Sequence, residues 1–333
     1  MALGKITIEE VARQASVSIA TVSRILNNKG PVAKKTRNKV LLAMEQLDFK
    51  FQPLSLATAG SNVILMCIPE LGNPFYSAIL EGAQKAAQNR NYYIFLVQTR
   101  DFNADFSEYE EILKTNQVAG LLLLSPVHNA EIIETLSFRC PVVMCSEYYE
   151  GDNISFVSID DIGAAKKAVR YLVATGRKRI AFLNSTLEYR WARHRESGFR
   201  EAMQEVGLPV REDWVLHLSG INFSLAVPNA NSLLDKDDPP DAVFAVSDVY
   251  AAAVIKAARK CGLRVPEDLS VIGFDNTDLS LITDPSITTI RQPSYEIGYQ
   301  ACELLIDKIV KPQAMARQII LDTDLIIRDS TML

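Results

Sequence analysis

From residue 62 onward, short apolar runs alternate with longer amphipathic stretches, and this alternation constrains the fold more than any other feature of the chain. "NVILMCIP", a helical pattern over 75–89, "YYIFLVQ", a helical pattern over 105–116, "VAGLLLLS", "PVVMCSE" and "VSID" make a first series. A second opens with a helix over 162–175 and "RIAFLNS", continues through a helix over 193–206, "AVFAVS", a helix over 249–261 and "LSVIGFD", and finishes with a helix over 295–309. Apolar runs of about four to eight residues without polar alternation are strands buried on both faces, and helices between them supply the crossovers that parallel pairing requires. The expected fold class is therefore α/β, with two lobes of doubly wound parallel sheet and a ligand site between them at the carboxyl ends of strands. No tandem repeat of roughly 20–50 residues is visible, which argues against a solenoid.

The first 48 residues follow another pattern. "ITIEEVARQAS" reads as a helix with Thr7 as its N-cap, Glu10 completing a capping box, and Ile8, Val11, Ala12 and Ala15 as its apolar stripe. After a turn at Ser16 and Val17, Ser18 caps a second helix with Val22, Ile25 and Leu26 inward, which leaves Ile19, Ala20, Thr21, Ser23 and Arg24 outside. A third helix, from about Lys34 to Leu47, brings Val40, Leu41, Met44 and Leu47 over the other two. This is a helix-turn-helix headpiece of three helices. Charge agrees with that reading: residues 1–60 hold nine Lys/Arg against four Asp/Glu, or +5, in a chain whose net charge is −5, so the remainder is −10. A basic head on an acidic body is the footprint of a polyanion partner. Residues 49–61, "FKFQPLSLATAGS", are poor in charge and contain Pro and Gly, and form the expected linker.

Several function classes are disfavoured. Apolar runs such as "GLLLL" are far shorter than a bilayer span, and no basic stretch leads into an apolar one at the start, so no membrane partner and a cytoplasmic location are expected. Cys67, Cys140, Cys145, Cys261 and Cys302 show neither CxxC nor His-Cys spacing, so reduced core thiols are expected, with no metal and no cofactor. His128, His194 and His217 sit in no triad or metal spacing, and no P-loop, GxGxxG or GxSxG string occurs, so no catalytic residue is assigned. The acid pair Asp160–Asp161 reads as a helix N-cap ahead of "IGAAKKAVRYL". A carbohydrate-acting enzyme would need a positioned acid, base or metal, and a transport binding protein would lack the headpiece.

The motifs resemble the LacI/GalR family of bacterial transcription repressors over essentially the whole chain. The likeness is carried by "ITIEEVARQASVSIATVSRILN" and "VAKKTRNKV" in the headpiece, then "NPFYSAILEG", "RHRESGF", "VPEDLSVIGFDNTDL" and "TTIRQPSYEIG". Within the family, "NPFYSAILEG", "VVMCSEYYEG" and the stretch Val265 to Ile306 look closest to the cytidine-repressor subgroup. The resemblance implies a headpiece over 1–48, a hinge over 49–61 and a two-lobed periplasmic-binding-protein-like core over 62–333. Its first lobe would comprise about 62–160 and 292–322, and its second about 161–291 and 323–333.

The resemblance also implies residue roles. The second helix enters the major groove, where Ile19, Ala20 and Arg24 read bases, while Thr7, Ser18, Thr21, Ser23, Asn27, Thr36 and Arg37 hold phosphates. The family's hinge wedges a leucine into the minor groove. Here Thr58 stands at that position, Phe51–Gln52 replaces the common proline-asparagine pair, and Leu56 the usual arginine, so either Leu54 or Leu56 substitutes as the wedge or the segment stays a loosely ordered loop. Ala33 replaces the family's serine cap on helix three. In the core, the implied effector is a sugar or nucleoside. Phe75 and Tyr76 would stack on it, and Arg195 and Asp275 would bond its hydroxyls, with Glu147, Asp160, Ile221, Ser247 and Gln292 as further contacts. A pseudo-palindromic operator and a homodimer follow from paired half-sites. "LIIRDSTML" leads into no leucine-rich tail, so a four-chain assembly is not expected.

Overall fold

The computed structural model describes residues 8–26, 32–47, 61–99, 113, 118–127, 130–149 and 154–332. Three helices open the chain, α1 (Ile8–Ala15), α2 (Ile19–Leu26) and α3 (Lys34–Gln46). Val11, Ala12, Ala15, Val22, Ile25 and Val40 are buried together, as their spacing requires, and Ala43 joins them. Leu41 and Met44 are only half-buried. Ser18 caps α2, accepting the Thr21 N–H at 3.1 Å. The turn before it depends on Ser16 in the left-handed region, at φ 53°.

The core begins with β1 (Val63–Ile68), α4 (Phe75–Asn89), β2 (Tyr93–Gln98), β3 (Gly120–Leu123), α5 (Ala130–Arg139), β4 (Val142–Cys145) and β5 (Ser155–Ile159). It continues with α6 (Asp161–Ala174), β6 (Ile180–Ser185), α7 (Arg190–Glu205), β7 (Val215–Leu218), α8 (Phe223–Leu234), β8 (Ala242–Ala245), α9 (Asp248–Lys260) and β9 (Ser270–Asp275). A short α10 (Leu279–Ile282), β10 (Thr288–Arg291), α11 (Ser294–Val310), β11 (Gln318–Leu321) and β12 (Asp324–Ile326) complete it.

The strands form two six-stranded sheets, ordered β2-β1-β3-β4-β5-β11 in the first lobe and β7-β6-β8-β9-β10-β12 in the second. Every pairing is parallel except β10 with β12, so the second sheet is mixed at one edge. Strand β1 shows why the apolar runs are continuous: Ile64, Met66 and Ile68 feed one core layer while Leu65 and Cys67 feed another. The edge strands β2, β11 and β12 are only partly covered, and β2, although apolar almost throughout, departs from the expectation of burial on both faces, with Tyr93 and Phe95 exposed at 64% and 54%.

The helices read from the sequence are present, with ends displaced by up to three residues, save the pattern over 105–116, of which only Leu113 lies within the described residues. α5, β7, α8, α10, β10, β11 and β12 were not read. Proline explains one case, because Pro228 falls inside α8, where it removes a backbone donor. Asn222 offsets this at the start of α8 by accepting from the N–H groups of Ser224 and Leu225. α4 and α11 pack at very short range because Gly82 and Gly298 face the other helix, where a Cβ would collide with the carbonyls of Tyr295 and Ile79. The chain passes between lobes three times, from β5 to α6, from β10 to α11 and from β11 to β12.

Candidate effector cleft and nucleic-acid interface

Parallel strands of both lobes end at the cleft between them, so the end of β9 and the segments after β1, β4, β6, β7, β8 and β10 all contribute side chains to one pocket. Its empty volume is about 280 Å³, a figure that includes space open to solvent. Phe75 and Tyr76, at the start of α4, provide one wall, their rings 5.4 Å apart and tilted by 60°. Asn73 fixes that helix start by accepting the Phe75 N–H at 3.1 Å.

Opposite stands Arg195, only 4% exposed. Its guanidinium lies 3.5 Å over the Phe274 ring and 4.8 Å from that of Trp191. Nε donates to Asp161 Oδ1 at 2.9 Å and Nη1 to the Val246 carbonyl at 2.8 Å. Nη1 is also 4.0 Å from Asp275 Oδ1. Asp275 ends β9 with φ 102°, a conformation that turns its carboxylate into the pocket at the expense of backbone strain. Burial pushes its carboxyl well above the ordinary value, while Arg195 and the Gln292 hydrogen bond oppose the rise. Gln292 donates Nε2 to Asp275 Oδ1 at 2.6 Å, and its buried Oε1 has no partner among the described residues. A buried acceptor of that kind calls for a donor from a bound molecule.

Six of the candidate residues therefore meet in this pocket, Phe75, Tyr76, Arg195, Ile221, Asp275 and Gln292, and Ser247 joins them while capping α9 through the Tyr250 N–H. Glu147 lies in the wall of an adjoining, larger cavity instead. It is 3% exposed and accepts the Trp191 N–H at 3.3 Å. Burial pushes its carboxyl up to about 7, against the pull of Arg190.

Asp160 requires correction. Its side chain is exposed, accepts the Gly163 N–H at 2.9 Å as the N-cap of α6, and is not among the residues lining the pocket. The buried member of the acid pair is Asp161, which caps nothing and instead binds two arginines, Arg190 at 3.0 Å and Arg195 at 2.9 Å. Sequence reasoning also missed Asn73, Ser146, Trp191 and Val246. Trp191 was detectable, since it stands one helical turn before Arg195 on α7.

At the headpiece, Ile19 is 50% exposed at the start of α2, and Ser18 and Thr21 share a hydroxyl bond of 2.8 Å beside it. Ala20, Ser23 and Arg24 are on α2, with side chains outside the described residues. Thr36 and Arg37 are half-buried in the first turn of α3, their N–H groups bonded to the Ala33 carbonyl. Thr7, Asn27, Leu54, Leu56 and Thr58 lie outside the described residues. Among the described residues no helix is long and apolar enough to cross a membrane, and no group of His, Cys, Asp or Glu could hold a metal ion.

Comparison with known proteins accounts for both parts. The pattern described as "Bacterial regulatory proteins, lacI family" matches residues 7–52, and that of the "Periplasmic binding protein-like domain" matches 169–331. The HTH-type transcriptional repressor CytR of Escherichia coli (strain K12) is 36% identical over 329 residues, covering 98% of this chain and 96% of its own. Among solved structures, a transcriptional regulator CelR–cellobiose complex is similar with a TM-score of 0.74 and 28% identity, over 98% of this chain and 99% of that one. A LacI family transcriptional regulator from Enterococcus faecium with bound ribose matches with a TM-score of 0.71 and 25% identity, over 81% of this chain and 98% of that one. With a headpiece pattern at its start and a relative of this identity along almost its full length, the chain belongs to the lacI family of bacterial regulatory proteins, DNA-binding transcriptional regulators and not enzymes.

Proposed function

We propose that this regulator is a cytoplasmic homodimeric repressor whose affinity for a pseudo-palindromic operator is set by a sugar or nucleoside bound between the core lobes. Residues 1–48 form the reading head, 49–61 the hinge and 62–333 the effector-binding and dimerising core. Arg24 donates to a guanine edge while Ile19 and Ala20 pack on thymine methyls. Thr7, Ser18, Thr21, Ser23, Asn27, Thr36 and Arg37 hold phosphates, and Leu54 or Leu56, with Thr58 nearby, contacts the minor groove.

The observation that carries the effector reading is the buried Arg195–Asp275 pair, facing Phe75 and Tyr76 across a pocket that also holds an unpaired Gln292 oxygen. With Nε and Nη1 of Arg195 held by Asp161 and the Val246 carbonyl, its Nη2, a carboxyl group and an aromatic wall together suit a polyhydroxylated ring. Two of the similar structures carry cellobiose and ribose, which supports that class of ligand. Exposed apolar side chains on both lobes, Leu71 and Phe95 on the first and Leu281 and Ile282 on the second, support pairing with a second copy.

The test is fluorescence anisotropy with DNA from upstream of the gene, alone and with ribose, cellobiose or a nucleoside. Operator binding that changes with one of these ligands is expected. Arg24→Ala should lower affinity for the operator far more than for random DNA, and equal losses on both would make Arg24 a phosphate contact.

A further inference from the structure

The cleft is crossed by polar contacts in which each lobe completes a feature of the other. Tyr189, the N-cap of α7 in the second lobe, makes no side-chain capping bond. Glu147 of the first lobe takes its place, accepting the backbone N–H of Trp191. Arg190 of the second lobe reaches back the other way. Its Nη2, whose two hydrogens are shared among three acceptors, lies 3.0 Å from the Ser146 carbonyl and 3.2 Å from Ser158 Oγ, both in the first lobe. Its guanidinium lies 3.8 Å over the Tyr148 ring, which is itself stacked on Phe156 at 4.0 Å. A third contact joins Glu70, after β1, to the Ile221 N–H at 3.2 Å.

Asp161 stands where this clasp meets the effector pocket. It is 1% exposed, and its two oxygens are divided, Oδ1 accepting from Arg195 and Oδ2 from Arg190. A buried carboxylate shared by two buried guanidiniums fixes both planes at once, because releasing either leaves a charge without its partner in a medium that solvates it poorly. We propose that Asp161 and Arg190 are positioning residues of the effector site: Asp161 orients Arg195 with one oxygen and with the other seats Arg190 in the first lobe. The disposition of the effector arginine and the closure of the lobes are thereby coupled through one side chain. This rests on the reading of Arg195 as an effector contact, but the coupling itself is a property of the ligand-free chain.

Hydrogen–deuterium exchange of the full-length, ligand-free protein tests it, because the amides of Trp191 and Ile221 donate across the cleft to Glu147 and Glu70. Arg190→Met and Asp161→Asn should each speed exchange at these amides by a factor on the order of ten, with β8 and β9 unchanged. The double variant should exceed neither single one. Arg195→Met should alter the cross-lobe amides in the wild-type background and leave them unaltered in the Asp161→Asn background. Additive effects, or an Arg195→Met effect that persists in Asp161→Asn, would overturn the proposal. Should β8 and β9 exchange faster as well, the substitution has loosened the whole lobe; Arg190→Lys must then speed the cross-lobe amides alone, and if it does not the proposal falls. Since neither DNA nor effector enters the measurement, its failure leaves the regulatory reading intact, and a missing effector response leaves the coupling intact.

Discussion

Glu147→Gln should change the pH dependence of stability in a direction that geometry dictates. The carboxyl is 3% exposed, lies against Arg190 and the first turn of α7, and is pushed from an ordinary 4.5 up to about 7 by burial, with Asp161 contributing to the rise. At about 1.4 kcal/mol for each pH unit of displacement, ionising it in the native protein costs about 3 kcal/mol more than in the unfolded chain. The native state holds the proton up to about pH 7, whereas the unfolded chain releases it near 4.5. Stability therefore falls as pH rises through that window, and the loss is complete above it. The amide of the variant carries no titrating proton and keeps a neutral acceptor for the Trp191 N–H, so the advantage of Glu147→Gln over wild type should grow by about 3 kcal/mol between about pH 4.5 and pH 8. For a core of this size that is roughly 6–12 °C in melting temperature, measured by thermal unfolding of both proteins across the pH series. A difference that stays constant with pH would refute the reasoning, since it would mean that Glu147 carries the same charge in both states.

Other perturbations follow from the same geometry. Gly298→Ala drives a Cβ into the Ile79 carbonyl, a backbone atom that cannot turn aside, so a loss of about 3 kcal/mol or more is expected in the urea midpoint; a loss below about 1 kcal/mol would show that α4 and α11 can separate freely. Arg195→Ala and Asp275→Asn should each abolish the effector response while ligand-free operator binding survives, and calorimetry showing unchanged affinity would remove both from the site. Leu56→Ala should reduce operator bending, measured by energy transfer between labelled DNA ends, while Thr58→Ala leaves it intact; the reverse order would shift the hinge register.

How much was legible depended on what each residue had to satisfy. Strands buried on both faces, such as "VILMCI" and "SVIGFD", have apolar side chains at every position but a few and announce themselves. Edge strands are not held to that pattern: β7 carries His217 and β12 is three residues long and opens on Asp324, so neither stands out from a loop. Phe75, Tyr76, Arg195 and Asp275 were reached through motifs, and the fold brings them together. The Asp160–Asp161 pair could not be resolved in the same way, because the two are identical side chains about a hundred degrees apart on a helix start. Only the packing of α6 against α7 decides that Asp160 faces water and Asp161 two arginines. Arg190 was missed because its partners Ser146 and Ser158 belong to the other lobe, and no local spacing encodes such a meeting.

The three passages of the chain between lobes limit how the protein can be divided. One residue separates β5 from α6, two separate β10 from α11 and two separate β11 from β12. A gene truncated after β5 would yield a sheet lacking the edge strand β11 and the helix α11 that covers α4, with Gly82 facing water. The complementary fragment would carry α11 and β11 with no sheet to receive them. Neither lobe is thus a unit that recombination can detach at a single breakpoint, and the core must be inherited and exchanged whole. The headpiece, joined by one linker, is the part that a single crossover can replace with a reader of different sequence.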